Sequence, residues 1–200
     1  MCASLSRASD LGQLRSIYSG VARANYAAIA KQFDTIAGKF NTAAATVDPE
    51  TPAASMVSAA DKPRKAWQDA ESYAHRLTEL LTPLAAAAAL AGIKDTDSDK
   101  ILLPLTVDTA GQHRRKVWTA WLHTDGRTQR WGALAAAGCT IVAAELDQLQ
   151  LYSELRPIEQ RQTPVPGEYG VYQITVHDPE DADYEALPEP ELMMITRRAY

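Results

Sequence analysis

From Asp61 to Gly92, seven residues follow one another at alternating steps of three and four: Trp67, Ala70, Ala74, Leu77, Leu81, Leu84 and Ala88. That spacing puts all seven on one side of an α-helix. The other side carries Arg64, Glu71, His75 and Glu79. Asp61 reads as the cap, and Pro63 sits in the first turn, where its missing N–H costs little. Gly92 is the stop signal. Pro83 falls inside the pattern, where a proline costs about 3 kcal/mol. The apolar stripe stays in phase across it, which predicts one kinked helix rather than two.

A second stripe precedes this one. Leu11, Leu14, Tyr18, Ala22, Tyr26, Ile29, Phe33, Ile36 and Phe40 have a mean step of about 3.6, the period of a straight helix. Ser9 or Asp10 is its candidate cap. The strict heptad of a long coiled coil is absent over the whole run. Between the two helices, in Asn41 to Ala54, Asp48-Pro49-Glu50-Thr51-Pro52 is a stiff turn signal. The pair therefore reads as an antiparallel helical hairpin. Ser55 to Ala60 reads as a short helical turn.

Downstream, Ile101 to Val107 reads as a strand that Pro104 confines to a sheet edge. A third helix follows from Asp108 or Thr109, with Val117, Trp118, Trp121 and Leu122 on its apolar side. A fourth runs from about Thr128 to Leu155, burying Trp131, Leu134, Gly138, Val142, Leu146 and Leu149. After Pro157 the character changes. Gly170 to His177 is rich in strand formers, with Tyr172, Ile174 and Val176 on one face. Glu191 to Tyr200 reads as its partner strand, presenting Met193, Ile195 and Arg197, and the acidic stretch Asp178 to Pro190 links the two. The expectation is a mainly α fold: a four-helix antiparallel bundle in residues 1–156 and a small C-terminal β-hairpin in residues 157–200. Ile101 to Val107 is the candidate third strand of that sheet.

Composition narrows the function classes. A net charge of −5 argues against an overall nucleic-acid-binding surface. Two cysteines, Cys2 and Cys139, lack the spacing of a disulfide framework and point to a reducing compartment. The first residues lack the basic start and apolar run of a secretory signal. The longest apolar run, Leu84 to Ala91, is far short of the ~20 residues that span a bilayer. The chain reads as cytoplasmic, with no membrane partner.

Several constellations carry potential chemistry. Glu71, His75 and Glu79 stand at i, i+4 and i+8, a ligand set of the right type for a metal. Di-iron bundles use Glu-x-x-His on two helices, and this spacing has no second half, so no metal or other cofactor is expected. Cys139 lies in an alanine-rich stretch and reads as a buried, inert thiol. The segment Arg130 to Leu149 superficially resembles a helix-turn-helix. Its second helix would carry Glu145 and Asp147 and no cation, the wrong charge for phosphates. The one basic cluster is Arg114, Arg115, Lys116, Arg127 and Arg130, interleaved with Trp118, Trp121 and Trp131. Basic and aromatic groups together bind single strands, and solvated charges around a tryptophan core give the same pattern.

No motif specifies a reaction. The reading is a non-catalytic protein-interaction or assembly component, working with a protein partner or as a homo-oligomer. A small, alanine-rich, motif-poor chain of this kind suits a phage or mobile-element protein. Two strands alone are marginal in water, so Tyr172, Ile174, Val176, Met193, Ile195 and Arg197 are the interaction candidates. The alternative is a nucleic-acid-associated regulator using residues 113–131, and the third reading is a bundle enzyme with a site no motif reveals.

Overall fold

A computed structural model describes residues 3–165 and 171–181, with side chains from Tyr18 onward. The fold is mainly helical, with six helices among the described residues and two small antiparallel pairs of strands. The chain divides into two compact units, Met1–Glu154 and Leu155–Tyr200.

Two long helices dominate the first unit. Helix α1 spans Ala3–Thr46, 44 residues, and α3 spans Asp61–Leu90, 30 residues. Helix α2, Ala53–Met56, is a single turn between them. Thr46 lies near Asp61 at one end of the α1–α3 groove, and Gln32 lies near Leu80 further along, so the two run antiparallel. The apolar period delivers its residues to the contact: Phe33, Phe40, Ala70, Leu77, Leu84 and Ala88 are buried. Trp67 and Leu81, at the margins of the stripe, are half-buried. Pro83 is accommodated within a continuous α3. The helix ends in a glycine cap: Gly92 has φ +103°, its N–H donates to Ala89 O, and the Ile93 N–H donates to Ala88 O.

The remaining elements depart from expectation in ways the backbone explains. Ile101 to Val107 is no edge strand. Helix α4, Asp99–Thr106, occupies it, with the Ser98 hydroxyl accepting from the Lys100 N–H as cap. Pro104 leaves the Lys100 carbonyl without its helical donor, and the Tyr152 N–H supplies one at 2.9 Å. The third helix, α5, is Arg114–Trp121 and is capped by His113 rather than by Asp108 or Thr109. The fourth, α6, is only Gln129–Ala136. Gly138, at φ +83°, ends it with the same two-bond cap, from the Gly138 N–H to Ala135 O and from the Cys139 N–H to Leu134 O.

From Thr140 the chain is extended. Strand β2, Thr140–Ile141, pairs antiparallel with β1, Val107–Asp108. Helix α1 supplies the partners that another strand would. Asn41 brackets Ile141 through both its amide groups, Asp34 accepts from the Ala143 N–H, and the Tyr26 hydroxyl donates to Ala144 O. Arg23 pairs with Asp147 at 2.9 Å. Two core tryptophans close the unit. Trp121 and Trp131 are fully buried and meet edge to face at 6.2 Å. Trp121 Nε1–H donates to Asp99, and Trp131 Nε1–H donates to the Thr78 hydroxyl.

In the second unit, β3, Glu159–Pro164, and β4, Tyr172–His177, form an antiparallel pair. Among the described residues, the partner of β4 is the polar segment that precedes it. Glu191 to Tyr200, with Met193, Ile195 and Arg197, lies outside the described residues.

Candidate functional site

The β3–β4 register sorts the hairpin into two faces. Gln160 faces Val176, Gln162 faces Ile174 and Pro164 faces Tyr172, and paired residues share a face. Tyr172, Ile174 and Val176 therefore form one apolar row, and they are 57%, 59% and 57% exposed. The other face carries Arg161, Thr175 and His177, which are half-buried, and Glu159, Thr163 and Gln173, which are exposed. Ile158 and Val171 beside the row are also exposed. The base of the hairpin is tied by Glu180, whose carboxylate accepts from the Arg156 N–H at 2.7 Å and lies 3.6 Å from the Arg156 guanidinium.

The basic cluster is largely committed to the chain itself. Arg114 donates to Ser153 and stacks on Tyr152, whose other neighbour is Trp118, stacked at 5.5 Å. Arg130 lies over the Trp121 ring at 4.4 Å, and burial lowers its pKa, partly offset by Asp99. Arg115 is half-buried, and Lys116 is exposed. The aromatic and cationic interleaving in the sequence therefore becomes pairing within the fold, where each stacked cation neutralises the ring face it would offer a base.

Arg127 is the most heavily engaged. Its guanidinium sits 3.4 Å from the Trp67 ring centre, bonds Glu71 at 2.7 Å, and donates to the carbonyls of Pro49 and Trp67. Beside it, Glu50 accepts from the N–H groups of Arg127 and Thr128 and from the Thr128 hydroxyl. Burial alone would raise the Glu50 pKa, but these bonds and the Arg127 charge hold it below the ordinary carboxyl value. The chain is close here: a Cβ at Gly126 would overlap the Glu50 carboxylate, and one at Gly132 the Thr128 hydroxyl. This network clamps the α1–α2 connection onto the turn before α6.

The metal candidates are distributed otherwise than a ligand set. Glu71 is paired with Arg127, and His75 Nε2 lies 3.3 Å from Glu79. Among the described residues, no three His, Cys, Asp or Glu side chains converge as ligands. Cys139 is buried, and desolvation, then Asp108, push its pKa up to about 11. No described helix is long and apolar enough to cross a membrane. Comparisons with protein-family models, curated proteins and solved structures gave no match.

Sequence reasoning placed Tyr172, Ile174 and Val176 on one face of a strand, as β4 has them, and missed β3. The segment Glu-Gln-Arg-Gln-Thr-Pro has no apolar alternation, and its only signal is position, between two prolines and just ahead of a strong strand.

Proposed function

We propose that this protein is a non-catalytic interaction or assembly component that engages a protein partner through the apolar face of its C-terminal hairpin. The observation that carries the reading is the outward row of Tyr172, Ile174 and Val176, each more than half exposed. An apolar strand face in water is a docking surface or a liability. The helical unit is the scaffold in this reading, a bundle in which the short α5 and α6 complete the α1–α3 pair. The engagement of Arg114, Arg127 and Arg130 within the chain weighs against a nucleic-acid role for residues 113–131.

A photo-crosslinking residue at position 174 tests the proposal in producing cells, with one at position 173, on the opposite face, as control. The expected result is a discrete protein adduct from 174, lost when Tyr172 and Val176 are changed to serine. Equal yields from 174 and 173, or an adduct that survives those changes, would overturn it.

A further inference from the structure

Helix α1 begins well ahead of its first buried described side chain. Among the side chains described, which start at Tyr18, the first buried one is Tyr26, and twenty-three helical residues precede it. That is a length of about 34 Å. Tyr18 is 75% exposed and Val21 64% exposed, and between Tyr18 and Asn25 only Ala22 is even half-buried.

Local propensity does not account for this helix. The segment holds Gly12, Gly20 and five serines, and a helix-interior glycine costs about 1 kcal/mol relative to alanine. Gly20 has open space around it, so no close packing explains its place. Even favourable isolated helices are marginal below about 12–15 residues, and longer ones draw most of their stability from packing of an apolar face.

The apolar pattern of α1 divides where the packing begins. One line, Ala22, Tyr26, Ile29, Phe33, Ile36 and Phe40, carries the buried side chains Tyr26, Phe33, Ile36 and Phe40. The other, Leu11, Leu14, Tyr18, Val21 and Asn25, steps three, four, three, four in the sequence, and Tyr18, Val21 and Asn25 are exposed. This second line has the spacing of coiled-coil core positions. It ends on Asn25, the residue that at a single core position fixes register and strand number in parallel pairs. In the sequence, Asp10 and Arg15 flank the line five residues apart, where an acid of one parallel helix meets a base of the other.

We propose that residues 11–25 of α1 form a parallel two-stranded coiled coil with a second copy of this chain. The pairing covers Tyr18 and Val21, which are exposed within one protomer. It leaves Tyr26 and the residues after it in the core of their own protomer. The contact uses other residues than the hairpin row, so one protein carries a self-association element in its first unit and a partner-binding face in its second.

Sedimentation of the full chain tests the proposal. A dimer is expected. Val21→Asp should weaken it by at least about tenfold, because a charge would be buried at the contact. The melting of the α1–α3 core should be unchanged, since Val21 lies outside it. Asp10→Arg or Arg15→Asp alone should weaken the dimer, and the two together should restore it. In a Cys2→Ser background, Leu11→Cys should crosslink to its own counterpart, which an antiparallel pair does not allow. A monomeric full chain, a dimer indifferent to Val21→Asp, or failure of the double charge exchange to restore association would each overturn the proposal. Loss of the dimer on changing Tyr172, Ile174 and Val176 instead would place self-association on the hairpin and likewise overturn it.

Discussion

The helical unit and the hairpin treat the same kinds of side chain in opposite ways. In the helical unit, Trp121, Trp131, Phe33 and Phe40 are fully buried, and the indole N–H groups of Trp121 and Trp131 have acceptors. In the hairpin, Tyr172, Ile174 and Val176 are more than half exposed. Burying apolar area is worth roughly 25 cal/mol per Å². The first unit has collected that term within one chain. The second has left it uncollected on its apolar row, so that row is where an outside contact adds most.

The sharpest break of this contrast is a deletion in the helical core. Leu77 is fully buried in the α1–α3 contact. Leu77→Ala should cost about 2–5 kcal/mol in chemical denaturation, the range for a deleted core leucine. A loss under about 0.5 kcal/mol would mean that the contact yields without penalty, and the helical unit would then be no better packed than the hairpin.

A smaller effect belongs to the Glu50 clamp. Thr128 is 1% exposed, and Glu50 receives both its N–H and its hydroxyl. Glu50→Ala strands those donors and should cost about 1–3 kcal/mol. The pH dependence has a fixed sign. The folded carboxyl titrates below its ordinary 4.5, so its contribution is complete above the unfolded pKa and is lost as pH falls through the folded one. Acid titration of stability should show that limb in the parent protein and lack it in Glu50→Ala. An identical limb in both would assign the acid sensitivity to other carboxylates.

The two long helices were legible because their signals are local and repeated. Seven in-phase apolar residues and a terminal glycine outweigh one interior proline in α3. What was not legible depends on partners distant in sequence. Gly138 in an alanine-rich run looks like a tolerated interior glycine, yet it ends α6. The chain after it is extended because Asp34 and Asn41, about a hundred residues earlier, take up its backbone groups. Pro104 looks like an edge-strand residue until the Tyr152 N–H fills the place of its missing donor. In the candidate site, alternation exposed the β4 row at once. Its partner β3 is polar throughout and has no periodic signal of its own.

The smallest expected effect tests the other half of the contrast. Ile174→Thr keeps the β-branch that suits a strand and removes part of the outward apolar row. A side chain 59% exposed has little burial to lose, so hairpin stability should change by less than about 0.5 kcal/mol, as for ordinary surface substitutions. Amide exchange across Glu159–Pro164 and Tyr172–His177 reads that local stability directly. The same substitution should reduce crosslinking at the apolar face, so binding and folding separate at one position. If exchange instead accelerates by a factor equivalent to more than about 1.5 kcal/mol, Ile174 is covered in solution. The row would then be an internal contact of the protein, the contrast with the helical core would disappear, and the partner surface would lie elsewhere.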